Sequence, residues 1–360
     1  MSIQNDLKKE GIEVTEKIDA IISNDISKDI SRRLFETFPD YGFTEKNLFE
    51  KLSKLDMYMA NMVEGMAEAN YYYKNTSIYF NNNIDFQDLS EFAIHECIHY
   101  LQEKKDEKNN LLRMGLCTYK NMKPSGLGLN EAAVQTIASF VIGVEPSHEK
   151  YYNISLYTPS PSYYPLECAL LNQITYFTGK DILYKSTLFS NDDFKNLIIA
   201  MTSDKTYDIL ESLFDKILKL EEKIIRLNNK INELEDGDSK INKITNKISK
   251  IKQNISKEFI TTQNLIVKEF FGCEFSNIHN LEQLEELRHK LYKYSDIIGT
   301  TENYKFFDEF YAEMMNKLEH KCNVLENGGI ETALVKNKHN RFVLFFKKLL
   351  SWALKSGELN

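Results

Sequence analysis

His95-Glu96-Cys97-Ile98-His99 is the stretch on which the reading of this chain turns. It has the form H-E-x-x-H. On a helix, positions four apart differ by about 40° in direction and one turn in height, so both imidazoles can reach one ion at the roughly 2.0–2.1 Å that zinc requires. Glu96, one step round, faces the open side of such an ion. With seven histidines in 360 residues, the pattern arises by chance in roughly one such sequence in a hundred, so its surroundings decide its weight. Those surroundings predict a helix from about Asp85 or Asp88 to Lys105. On its wheel Leu89, Ala93, Ile94, Cys97, Ile98 and Leu101 share one broad apolar arc, and His95 and His99 point almost directly away from the centre of that arc. Cys97 lies on the arc and reads as inert core, whereas Phe92 breaks the pattern on the histidine side.

Two histidines leave a catalytic zinc site one protein ligand short. Among the downstream acids Glu131 is the best placed. Gly128-Leu129-Asn130-Glu131-Ala132-Ala133-Val134-Gln135 opens a second helix, running to about Ile142, whose Val134, Ile137 and Val141 would pack it against the first. Small Ala132 and Ala133 permit close approach. An ordinary acid in the first turn of a helix, favoured by the dipole, is the competing account, and Glu145 and Glu167 are the acids next in line.

H-E-x-x-H followed 32 positions later by Asn-Glu on a second helix resembles the gluzincin, thermolysin-like division of zincin metallopeptidases. The resemblance covers roughly residues 65–145. It implies a two-helix zinc site with ligands His95, His99 and Glu131, Glu96 as general base and acid, and a small sheet whose edge strand binds extended peptide or protein substrate. The aromatic, β-favouring stretch from Asn70 to Phe80, around a Lys-Asn turn, predicts a short hairpin where that strand belongs. The chain departs from the thermolysin form at Ala133-Val134-Gln135, where a Ser-Asp pair would follow, so Gln135 is a candidate support for His95. Tyr119, His148, Tyr152 and Tyr164 are the candidates for stabilising an oxyanion.

The rest of the chain reads as α+β with helix predominating. The periodicity from Lys8 to about Met66 predicts scaffold helices broken at Pro39 and Gly42. Residues 111–125 are ambiguous, and 146–165, with four of the six prolines, predict a loop. From about residue 205 the architecture changes. Ile217, Leu220, Ile224, Leu227, Ile231 and Leu234, then Ile241, Ile244, Ile248, Ile251 and Ile255, step by three and four on either side of Asp236-Gly237-Asp238, which predicts an antiparallel coiled-coil hairpin. Three units follow from this: a zincin-like catalytic domain with a small β-sheet over 1–204, the helical hairpin over 205–271 and a helical C-terminal region over 272–360. The hairpin is either packed structure or an arm for a protein partner. Residues 279–325 read as helix with a break near Gly299. A last helix, about Arg341 to Lys355, carries a narrow polar stripe of Arg341, Lys347, Lys348, Ser351 and Lys355; it either docks on the protein's own helices or makes a peripheral membrane contact.

Bulk composition is consistent with this reading. The chain is 42% hydrophobic and 27% charged, with 22 Phe and 20 Tyr, as expected of a folded protein. A formal net charge of -8 gives no basic face for nucleic acid. Five scattered cysteines without a C-x-x-C pair fit a reducing compartment. The start has no secretory h-region and no stretch is apolar enough for a membrane span, so the expected location is cytoplasmic. Three functions compete: a zinc metallopeptidase, a non-catalytic zinc-binding protein that acts through its helical half, and a structural protein whose motif is accidental. The intact Glu96 favours the first.

Overall fold

A computed structural model describes residues 3–63, 68–120, 123–235, 239–298 and 304–327. In chain order the elements begin α1 (Ile3–Lys9), β1 (Ile12–Lys17), α2 (Ala20–Thr37), α3 (Glu45–Leu52), β2 (Asp56–Met62), β3 (Ala69–Tyr72), β4 (Ser77–Asn81) and α4 (Leu89–Gln102). A meander follows, made of β5 (Glu103–Lys105), β6 (Leu111–Met114), β7 (Cys117–Lys120) and β8 (Lys123–Ser125). Then come α5 (Leu127–Ile142), β9 (Ser147–Tyr151), β10 (Ile154–Thr158), α6 (Pro165–Thr178), α7 (Lys180–Phe189) and α8 (Asp193–Met201). The chain continues with α9 (Asp204–Asn232), α10 (Ser239–Ser276), α11 (Leu281–Ile298) and α12 (Tyr304–Glu326). The fold is α+β and predominantly helical.

The four-stranded sheet has the order β1-β2-β4-β3, with β2 and β4 parallel and the outer pairs antiparallel. The hairpin expected over 70–80 is β3–β4, and β3 is the sheet edge. The expectation of helices alone from Lys8 to Met66 is corrected here, because β1 and β2 flank α2 and α3 in that segment. In β2 Met57 and Met59 lie inside and Asp56 outside, and in β1 only Ile12 is buried, patterns too short to stand apart from a helical period. The 146–165 segment is likewise not all loop: β9 and β10 pair through Tyr152 and Asn153, both at positive φ. The ambiguous 111–125 stretch is the meander, and its β6–β7 turn is made by Gly115 at φ +59.

One apolar cluster runs from Ile18 of the N-terminal segment through α4, α5 and α6 to Phe270 of α10. A second, built on Val267, Phe271, Leu291, Tyr294 and Phe307, joins the far end of α10 to α11 and α12. α9 and α10 pack along each other, with Ile217, Ile224, Leu227, Ile248, Ile251 and Ile255 buried between them and their neighbours. The tip and the base of this pair differ. No described residue from 228 to 247 is buried, whereas Phe214, Ile217, Ile255 and Phe259 at the base are 0% exposed. The Asp236-Gly237-Asp238 turn and the helix expected over 341–355 lie outside the described residues. Among the described residues no helix is long and apolar enough to cross a membrane.

The base of α9 also fixes α5. Asp215 accepts hydrogen bonds from the backbone N–H groups of Gly126 at 3.2 Å and Gly128 at 2.8 Å. These are donors that a helix start leaves without intrahelical partners, and a carboxylate there also suits the helix dipole. Gly128 meets α9 so closely that a Cβ would lie 2.5 Å from the carbonyl oxygen of Phe214.

Candidate metal centre

α4 and α5 bring His95, His99 and Glu131 together. One ligand atom from each lies within 4.8 Å of the others. His95 Nε2 is 2.9 Å from His99 Nε2 and 3.2 Å from Glu131 Oε2, and His99 Nε2 is 3.4 Å from the same oxygen. Ligands about 2.0–2.1 Å from a tetrahedral ion stand roughly 3.3 Å apart, so the three separations match the face of one coordination tetrahedron. The donor set, two imidazoles and a carboxylate, suits zinc. The apolar arc of α4 turns inward, with Ala93, Ile94, Cys97 and Ile98 all 0% exposed, which leaves the histidines facing α5. Burial alone pushes the Glu131 carboxyl upward, but His99 and His95 beside it outweigh that and hold it well below the usual carboxylate range.

Gln135, one turn beyond Glu131, accepts a hydrogen bond from the Nδ1–H of His95 at 2.9 Å, and its Nε2 donates to Ser139 Oγ at 3.1 Å. That pairing selects the His95 tautomer whose Nε2 lone pair faces the ion position. His99 Nδ1 is buried without a partner.

Glu96 sits beside the triad and is 8% exposed. Its Oε2 accepts the backbone N–H of Tyr71, on edge strand β3, at 2.7 Å. Desolvation is the largest influence on this carboxyl and raises it to about 7, with Glu131 adding to the rise and His95 and the Tyr71 amide opposing it. Cys97 is buried, and burial pushes its thiol well above the ordinary range, in keeping with inert core.

Of the four oxyanion candidates, Tyr164 lies at the site. Its ring stacks on His95 with centroids 5.9 Å apart and planes 20° from parallel, and burial followed by Glu131 and Glu96 raises its hydroxyl well above the ordinary value. It caps α6 in the left-handed region at φ 48, a conformation that costs a bulky residue on the order of 1 kcal/mol and clusters at functional sites. Tyr119, on β7, is close enough to Glu131 to feel its charge. His148 is on β9 against Tyr157, and Tyr152 lies by Glu221 and Glu167; the structure does not bring either to the triad. Of the other acids, Glu145 is exposed beyond the end of α5, and Glu167 is 0% exposed on α6, facing Glu221 of α9.

A cavity of about 300 Å³ opens beside His95 and Glu96. Phe92, the residue that broke the apolar arc, is part of its wall, as are Glu68 and the 160–164 loop. Sequence reasoning missed Glu68 and the Tyr71 amide, since neither has a spacing that ties it to the motif.

Compared with family models, with curated proteins and with solved structures, the chain finds no match.

Proposed function

We propose that this protein is a zinc-dependent hydrolase of peptide bonds, with His95, His99 and Glu131 as metal ligands and Glu96 as general base and acid. The observation that carries this reading is the buried, non-ligating carboxylate of Glu96 beside the three converging ligand atoms, tied to the edge strand of the sheet through Tyr71. A purely structural zinc site is closed by four protein ligands, whereas here three converge and a second acid is held next to them.

Zinc, when bound, supplies Lewis acidity toward a substrate carbonyl and an attacking water. Glu96 takes the proton of that water and hands it to the departing amine, a role suited to a carboxyl raised toward neutrality. The Tyr71 amide holds Glu96 in place and gives its charged form one donor. Tyr164 lines the cavity and its hydroxyl is held by Glu131 next to the triad, close to where a donor for the developing oxyanion is needed. Strand alternation turns the backbone of Ala69 to the same side as that of Tyr71, so an extended peptide can pair along β3.

The test is mass spectrometry of a peptide library incubated with wild-type protein, with Glu96→Gln protein and with chelator-treated protein. New cleavage products in the first alone are expected. Absence of products from metal-loaded wild-type protein, or equal products from Glu96→Gln, would overturn the reading.

A further inference from the structure

The cavity beside His95 and Glu96 has a composition that selects its occupant. Phe92, Ala138, Ile142 and Val144 line it with apolar surface, and Glu68 and Glu91 bring carboxylates to it. No lysine or arginine is among the described lining residues. Three other screened carboxylates take lysines: Glu258 pairs with Lys216, Glu103 with Lys105 and Glu274 with Lys290. Glu68 has no such pair among the described residues, and its Oε2 is buried without a hydrogen-bond partner. The Tyr163 hydroxyl, also at the cavity, is held against the Glu68 carboxyl.

A buried carboxylate oxygen without a donor is costly, and the cost is removed by a ligand that brings one. An acidic side chain would meet two like charges. An aliphatic one would fit the apolar wall but strand Glu68. A lysine or arginine side chain matches both parts, its methylene stem lying on Phe92, Ile142 and Val144 and its cationic head reaching the carboxylates. The volume of about 300 Å³ takes one such side chain, not a folded segment.

We propose that this cavity is the specificity subsite of the enzyme and accepts a lysine or arginine side chain of the substrate, with Glu68 as the principal anchor and Glu91 as the second. The assignment rests on the hydrolase reading for its meaning but is tested by binding, separately from turnover. Peptide pairs that differ only by lysine against norleucine, or arginine against citrulline, are titrated into zinc-loaded Glu96→Gln protein. The basic member of a pair should bind at least about tenfold tighter, because a site built to pair a charged donor rejects the analogue that lacks it. In a Glu68→Gln, Glu96→Gln double variant, where the amide oxygen can still accept from Tyr163, the ratio should fall toward one. Glu91→Gln, at an exposed position that does not endanger folding, should lower it by a smaller factor.

Equal affinity within the pairs, no measurable binding of any basic peptide, or a ratio unmoved by both substitutions would overturn the assignment. Turnover of the same peptides by wild-type protein is read alongside. A binding preference without turnover sinks the hydrolase reading and leaves the cation pocket, whereas turnover without a basic preference sinks the pocket alone.

Discussion

Gln135 Oε1 accepts the Nδ1–H of His95 at 2.9 Å, so the tautomer of one candidate metal ligand is set by a residue one helical turn beyond another. Such partners are worth about 10–100-fold in metal affinity. Gln135→Ala is therefore expected to weaken zinc binding by that factor in a chelator competition titration without unfolding the protein. Unchanged affinity would mean that His95 is oriented by packing against Tyr164 instead.

Elemental analysis of protein purified without chelator should find one zinc per chain. His95→Ala and His99→Ala should abolish it, and Glu131→Ala should weaken it strongly, because among the described residues these three side chains bring their ligand atoms within 4.8 Å of one another. Glu96→Gln should keep the metal. A metal-free wild-type preparation would falsify the site itself.

Tyr164→Phe removes a hydroxyl while keeping the ring on His95. If the hydroxyl serves the oxyanion, kcat should drop about 10²–10³-fold with little change in zinc content or KM. A fall in KM-dependent terms only, with kcat intact, would reassign Tyr164 to substrate positioning.

Glu167 and Glu221 make a buried acid pair between α6 and α9, with Tyr152 beside Glu221 and Glu131 adding like charge to Glu167. Burial raises Glu167 well above the ordinary carboxyl range and Glu221 to about 7. The folded state thus holds protons that the unfolded chain releases above about pH 4.5. The stability tied to the pair is full below that pH and is lost as pH rises through 7. Glu167→Gln should accordingly raise stability at pH 8 by roughly 1–2 kcal/mol and leave it nearly unchanged at pH 5. Thermal melts at the two pH values read this directly, and an equal shift at both would show that the pair is not protonated in the native protein.

The α9–α10 hairpin divides into a tip without a buried residue among those described and a base in the main core. Replacing residues 229–247 with a short Gly-Ser linker should leave zinc binding and the melting of the core intact. Ile217→Ala, at a fully buried base position, should cost about 2–5 kcal/mol in denaturant unfolding. Loss of zinc binding on trimming the tip would show that the hairpin is cooperative to its end.

The parts of this fold that could be read from sequence are those with a strong period or a chemical signature. The histidines of α4 stood out because they oppose a continuous apolar arc, and the hairpin stood out because isoleucine and leucine repeat over many turns. Strands β1 and β2 could not be read, since β1 buries only its first residue and the short alternation of β2 next to helices looks like a fragment of a 3.6 period. β9 and β10 were hidden by nearby prolines, which sit just before β9, in the connection to α6 and at its first position rather than in the strands. Glu68 and the amide of Tyr71 reach the site through tertiary placement of an edge strand, and a backbone N–H leaves no mark in a sequence at all. The partner of His95 was visible only as a candidate because glutamine stands where an acid would follow in the thermolysin form.

The close crossing at Gly128 bears on how this protein can diverge. With the Phe214 carbonyl 2.5 Å from where a Cβ would stand and Asp215 bonded to the first turn of α5, the helix that carries Glu131 has its depth set by the one that begins the hairpin. Descendants can lengthen, shorten or recolour the distal hairpin, yet a side chain at 128 would lift Glu131 away from the histidines. Distant relatives should therefore be recognisable by a joint signature rather than by overall identity: H-E-x-x-H, then a glycine three residues before the acidic ligand and a glutamine four after it, then an Asp in a later helix to receive the amide of that glycine.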